Sequence, residues 1–283
     1  MIGLGVRAAL LAVPVMAIVA ATSAPTFAAS LYSQGFETNT TDWATVDRVP
    51  SGANGIASAS GGFHAQAGAG DFTRWGGYHQ TDTTPGPLPG SFQPYTTSID
   101  IFLNVAGGAG NDTRFDFSSA ISTPAGGFLR DFVFSGGFYT SADLTGPGAG
   151  TDRFVVSASN NTPGWPQNPA RDPFAITNTG WYTFQHAFTD NAGTLNVTMS
   201  IYDAADILVH SWLLGGDAIG TAGGNRYGWF VNNGFPFLAI DNASLSTPDA
   251  VPVPAALPLF MGGLGVMGLL GWRRKRKAAA AAA

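Results

Sequence analysis

Apolar side chains recur at every second position through most of the middle of this chain, and that alternation limits what it can fold into. Ile99, Ile101, Leu103 and Val105 form one such series. Phe115 with Phe117, Phe132 with Phe134, and Tyr182, Phe184, His186 and Phe188 form others. A period of two puts these residues on one face of an extended strand, whereas a helix needs spacings of three and four. No window between residues 29 and 247 carries three uninterrupted turns of a helical apolar stripe. The 38 Gly and 18 Pro among 283 residues agree, since both interrupt helices. With no Cys in the chain, a disulfide scaffold and a Cys-ligated zinc site are excluded. The expected fold class is all-β.

Turn sequences join these series into antiparallel hairpins. Leu195, Val197, Met199 and Ile201 follow the turn Asp190-Asn191-Ala192-Gly193, and Val209 follows a turn around Asp203-Ala204-Ala205-Asp206. The run from Phe237 to Leu245 reads as a last strand, which in a sandwich often lies beside or near the first. Stretches 50–70, 82–96, 141–151 and 159–173 are rich in Gly, Pro, Asn and Thr and read as long loops, the usual place for binding on a rigid sandwich. Residues 29–247 suit a single antiparallel β-sandwich and are too few for two ordinary cores.

Charge is distributed unevenly. Arg7 and the five cations at 273–277 take six of the 13 basic residues. Seven remain between 29 and 247, all Arg, against 17 acidic residues, a charge of −10 with no Lys. A body this acidic repels nucleic-acid phosphates and anionic lipid and attracts divalent cations.

The two ends read as addresses. Residues 1–28 carry an early Arg7, an apolar run from Ala8 to Ala21, and the small residues Thr26 and Ala28 at positions −3 and −1 of a signal-peptidase cut. A permanent N-terminal anchor is the alternative, and the run is short for one. Residues 255–272 are eighteen uncharged residues, just enough for a bilayer core of about 30 Å. Arg273, Arg274, Lys275, Arg276 and Lys277 then hold the tail on the cytoplasmic side. The proline motif Val251-Pro252-Val253-Pro254-Ala255, the apolar helix and the basic end, in that order, resemble the PEP-CTERM family of sorting tails over residues 251–277, in particular its VPLPA variant. Val253 stands where the commonest form has Glu and the variant has Leu. The resemblance implies a bacterial protein, an exosortase-type processing enzyme acting at the proline motif, and anchoring in the membrane by the helix before processing. Release or transfer to the cell surface or extracellular matrix would follow. An anchor that is never cut is the alternative. The expected organisation is a signal peptide at 1–28, a sandwich domain at 29–247, a linker and sorting motif at 248–254, a transmembrane helix at 255–272 and a basic cytoplasmic tail at 273–283.

Within the body, Gly35-Phe36-Glu37 followed by Trp43, the strand Gly180-Trp181-Tyr182-Thr183-Phe184, and the closing Ile240-Asp241-Asn242 resemble concanavalin-A-like and carbohydrate-binding jelly rolls. That resemblance implies a single jelly-roll β-sandwich and an extracellular polysaccharide as ligand. It also implies a structural calcium clipping the first strand to the last, with Glu37 and Asp241 at the matching ends. Equally open is a solvated Glu37 and an Asp241 bonded to loop backbone.

Sugar recognition needs flat aromatic faces with polar groups beside them. Trp75 and Tyr78, in Arg74-Trp75-Gly76-Gly77-Tyr78-His79, and Trp165, in Pro163-Gly164-Trp165-Pro166, lie in Gly- or Pro-flanked loop sequence. With Arg74 they are the candidate carbohydrate-binding residues, the alternative being rings tucked under their loops. Trp43, Trp181, Trp212 and Trp229 fall in or beside strand patterns and default to the core. Glycoside hydrolysis needs two facing carboxylates. The chain has one Glu, Glu37, so the closely spaced Glu and Asp of concanavalin-like hydrolases is absent, and Asp203 and Asp206 lie in a turn. Arg114, Arg130, His186 and Tyr182 are residue types used by polysaccharide lyases but match no lyase motif, and His186 reads as a core histidine. The expectation is a non-catalytic, exported polysaccharide-binding module. A polysaccharide hydrolase or lyase on the same fold and a structural surface protein without ligand are the alternatives.

Overall fold

The computed structural model describes residues 30–75, 91–160 and 172–247, over 72–75 the backbone alone, and in it the alternating series become strands. In chain order these are β1 (Ser30–Gln34), β2 (Val46–Pro50), β3 (Phe63–Gly68), β4 (Phe72–Trp75), β5 (Tyr95–Leu103), β6 (Thr113–Ser122) and β7 (Phe128–Tyr139). Then come β8 (Arg153–Ser159), β9 (Phe174–Ile176), β10 (Gly180–Asn191), β11 (Thr194–Asp203), β12 (Leu208–Ala218), β13 (Asn225–Asn233) and β14 (Phe237–Ser246). They build two antiparallel sheets. One has eight strands in the order β12-β11-β10-β5-β14-β3-β2, with β1 on β14; the other has six in the order β4-β13-β6-β7-β8-β9. The described residues fall in one compact unit, Ala28–Asp249.

Alternation decides which face turns inward. Along β5 every second residue from Tyr95 to Leu103 is buried, and β10 repeats the pattern through Tyr182, Phe184, His186 and Phe188. The six-stranded sheet answers with Phe115, Phe117, Phe132, Phe134, Phe138 and Phe154, all essentially inaccessible. The rings mesh edge to face: Phe134 meets Phe184 at 5.2 Å and 89°, and Phe132 meets Phe188 at 5.4 Å and 85°. Edge-to-face packing puts the positive ring edge on the negative ring face.

Both hairpins read from the sequence are present, with Asn191 opposite Thr194 at the β10–β11 turn and Asp203 Oδ1 accepting the Ala205 and Ile207 amides at the next. The last strand lies beside the first, Gln34 opposite Ala243. Three expectations are corrected. Stretch 50–70 is not one loop, because β3 runs through it between β2 and β14. Val105 is buried but lies in a 3-10 turn after β5 rather than in the strand. Trp43 and Trp212 are core, whereas Trp181 and Trp229 are only half-buried. Trp181 lies on the outer face of the eight-stranded sheet, edge-on to Phe102, its indole N–H donating to the Ala57 carbonyl.

The 141–151 loop is organised from within. Arg153, fully buried, donates to the carbonyls of Thr140, Asp143, Thr145, Pro147 and Thr151 at 2.7–3.4 Å. Among the described residues no helix is long and apolar enough to cross a membrane. The expected signal segment, sorting motif Val251–Ala255, apolar helix and cations Arg273–Lys277 lie outside the described residues.

Candidate functional site

The strands that bury phenylalanines on one face present polar groups on the other. In Arg114-Phe115-Asp116-Phe117-Ser118 on β6 the Phe residues enter the core, so Arg114, Asp116 and Ser118 take the opposite face. On β7, Asp131, Val133, Ser135, Gly137 and Tyr139 share that face. Register aligns them across the sheet: Asp116 stands opposite Ser135 and Ser135 opposite Ser157 on β8, while Arg114 stands opposite Gly137 and Gly137 opposite Val155. Together Arg114, Asp116, Ser135, Gly137, Tyr139 and Ser157 line a shallow notch of about 30 Å³, room for a hydroxyl rather than a ring.

Gly137 forms its floor, because a Cβ there would lie 3.0 Å from the Tyr139 ring. A glycine inside a strand marks a place where another group approaches the backbone closely. Its neighbour Gly136 has a different reason, since a Cβ there would lie 2.4 Å from the Phe115 ring in the core.

The polar groups are tied to one another. Ser135 Oγ donates to Asp116 Oδ1, and the Asn233 amide stands 3.5 Å from Asp116 Oδ2. Burial raises the Asp116 pKa above the usual carboxylate value, against the lowering effects of the Ser135 hydroxyl and Arg114. Arg114 pairs with Asp112 at 2.7 Å, and the Tyr139 hydroxyl donates to Asp112 Oδ1 at 2.9 Å. The hydrogen bond from Arg114 is the main cause that lowers the Asp112 pKa, and it raises that of Arg114 in turn. Burial raises the Tyr139 phenol.

This set offers carboxylate and hydroxyl acceptors, guanidinium and hydroxyl donors, and a ring, spaced over one strand-to-strand step. Among the described residues Ser135 meets a carboxylate, that of Asp116, and no histidine. Among the described residues the other buried carboxylate on this face, Asp131, is opposite Ala120, four residues along β6 from Asp116. At about 3.3 Å per residue the two are roughly 13 Å apart. Acid and base pairs of glycosidases need about 5 to 9.5 Å.

Of the residues singled out in the sequence, Arg74 and Trp75 lie not in a loop but on β4, at the edge of this same sheet, opposite Trp229 and Gly228 of β13. β13 stands between them and β6. Tyr78 and Trp165 lie outside the described residues. Arg114, Arg130, His186 and Tyr182 are not brought together. His186 and Tyr182 face the core from β10, Arg114 lies on the outer face of the other sheet, and Arg130 pairs with Asp217 of β12 at 2.9 Å.

Glu37 and Asp241 grip one segment. Glu37 accepts the amides of Gly62 and Phe63, and Asp241 accepts those of Ser60 and Asn242. Burial first of all lifts the Asp241 pKa to about 6. Both carboxylates thus face N–H donors, a poor fit to calcium, which needs several oxygens converging. Among the described residues no three His, Cys, Asp or Glu groups cluster to hold a metal ion.

Sequence reasoning missed Asp116, Ser135, Gly137 and Tyr139. Their signal was present as the polar partners of the alternating phenylalanines, but the periodicity was followed only on its apolar face.

No protein-family model matches the chain, and no curated protein matches it. Among solved structures it is similar to the CBM2 module of the evolved Dit of Lactobacillus casei BL23 phage J-1, with 10% identity over 81% of this chain and 100% of that one and a TM-score of 0.35. It is similar to peanut lectin with a 9mer peptide, at 9% identity over 79% and 98% with a TM-score of 0.40. It is also similar to basic winged bean lectin with Tn-antigen, at 11% identity over 78% and 98% with a TM-score of 0.39. All three likenesses are distant.

Proposed function

We propose that this chain is an exported surface or matrix component whose sandwich binds polysaccharide, without catalysis, through the outer face of the six-stranded sheet. The observation that carries the reading is the notch around Asp116: a glycine floor flanked by a carboxylate, a guanidinium, hydroxyls and a tyrosine ring. Such a set suits the paired donors and acceptors of sugar hydroxyls. Half-buried Trp229 on β13, opposite Ser118 of β6, extends the same face with an aromatic residue, whereas Trp75 stands opposite Gly228, in the register of core Phe230. The chain passes repeatedly between the sheets, at β3–β4, β4–β5, β5–β6, β9–β10, β12–β13 and β13–β14, a winding that supports the jelly-roll reading. The wide separation of Asp116 and Asp131 speaks against a glycosidase pair. Calcium has no step in this reading.

Export rests on residues 1–28, and sorting by an exosortase-type enzyme rests on Val251–Ala255, the apolar segment 255–272 and the cations at 273–277. Binding is tested by placing the detergent-solubilised full-length chain on a glycan array beside its Ser135→Ala variant. Selective retention weakened in the variant is expected, whereas retention of no glycan would leave a structural surface protein. Sorting is tested by cell fractionation with Pro252 and Pro254 replaced by Ala. Retention of an unshortened chain in the membrane is expected, and unchanged release would overturn it.

A further inference from the structure

At one end of the sandwich a second cavity, of about 140 Å³, opens between the turn after β5 and the turn before β14. Its walls include Phe102, Phe154, Phe235, Ile56 and Leu238, with Pro236 and the Gly107-Gly108 turn also in the lining. Among the described residues no charged side chain lines it, and Asn104 contributes the one polar side chain of the lining.

The walls are set before anything binds. Ile56 closes a turn in which its carbonyl accepts the Gly52 amide at 2.8 Å and its amide donates to Ala53 at 3.0 Å. The next carbonyl, of Ala57, takes the Trp181 indole N–H at 2.8 Å. Phe235 is held by the buried Asn232, whose carboxamide donates to the Phe235 carbonyl and accepts the Phe235 amide, each at 2.9 Å. Phe154 stacks on Phe235 at 5.7 Å and 23°. A pocket with fixed walls needs little ordering when a ligand enters.

Size and lining then select the occupant. An apolar protein cavity of about 150 Å³ accepts one benzene ring. A charged ligand would lose its hydration with no opposite charge to meet it. We propose that this pocket binds a single uncharged six-membered ring bearing one hydroxyl, a phenol, with the ring among Phe102, Phe154 and Phe235 and the hydroxyl at the Asn104 carboxamide. The Asn104 side chain makes no capping hydrogen bond to the 3-10 turn it precedes. The site lies apart from the Asp116 notch and does not depend on polysaccharide binding there.

The test is titration of the full-length chain with 4-fluorophenol, followed by fluorine NMR against the same detergent buffer without protein. Saturable binding with a dissociation constant of about 1 mM or tighter is expected. Ala109→Phe, which adds a ring to the lining of the pocket, is expected to weaken it at least tenfold. Asn104→Leu, which keeps the apolar walls, is expected to weaken fluorophenol several-fold and leave fluorobenzene unchanged, and Leu144→Ser, remote and exposed, to change neither. Absence of saturable binding by about 10 mM overturns the proposal, as does equal binding by an Ala109→Phe variant that melts normally. Should that variant fail to fold, equal fluorophenol binding by Asn104→Leu overturns the hydroxyl's place at Asn104.

Discussion

His186 lies wholly inside the sandwich, its ring 4.8 Å from that of Phe134 and 5.1 Å from that of Phe117. Burial pushes its pKa down to about 3. Nδ1 lies 3.4 Å from Thr97 Oγ1, and a backbone hydrogen bond with Phe132 acts against the effect of burial. An unfolded histidine titrates near 6.5, so below that pH the unfolded chain binds the proton that the folded chain refuses. The associated stability is fully present above pH 6.5 and is lost as the pH falls towards 3. Thermal melts should fall more steeply between pH 6.5 and 4 in the native chain than in His186→Leu, and equal slopes would contradict this. Arg153 makes a second claim at this scale. Arg153→Met keeps the length of the side chain but strips five carbonyls of their donor, and should cost about 3–5 kcal/mol. Faster amide exchange confined to 140–151 would locate the loss, and unchanged exchange there would count against the cage as the organiser of the loop.

Among the elements, β7 separates packing from the proposed binding in two adjacent residues. Gly136→Ala drives a methyl into the Phe115 ring and should cost about 1–3 kcal/mol in denaturant melts. Gly137→Ala adds the same methyl to the outer face beside the Tyr139 ring. It should leave stability nearly unchanged while weakening glycan retention in affinity electrophoresis, and the reverse order of effects would place the notch on the wrong face. β5, β10 and β11 were legible in the sequence because each has one wet face and one dry face, so the polar residues frame the apolar ones. β3 was not legible, because Phe63-His64-Ala65-Gln66-Ala67 is buried on both faces and its small residues blend into a Gly-rich stretch. β4 was hidden by the Gly76-Gly77 that follows Trp75. The notch lies beyond any reading of single strands. Asp116, Ser135 and Ser157 come together only through the register of three strands, which local sequence does not encode.

Across the whole molecule, a body carrying −10 between residues 29 and 247 keeps away from polyanions, and it offers hydroxyl-matching groups on one broad sheet face. That combination suits a neutral polysaccharide better than an acidic one, and an array carrying both kinds should show retention on neutral glycans that added salt scarcely alters. Salt-sensitive retention on acidic glycans would contradict it. The central claim is that the Asp116 face holds the sugar. It is tested most directly by the affinity of the full-length chain for its best-retained glycan, before and after Asp116→Asn. The substitution keeps the shape of the side chain and one oxygen for Ser135 but removes the charged acceptor, and should weaken binding about tenfold or more, about 1.4 kcal/mol. Unchanged affinity in a variant that melts like the native chain would move the binding site off this face.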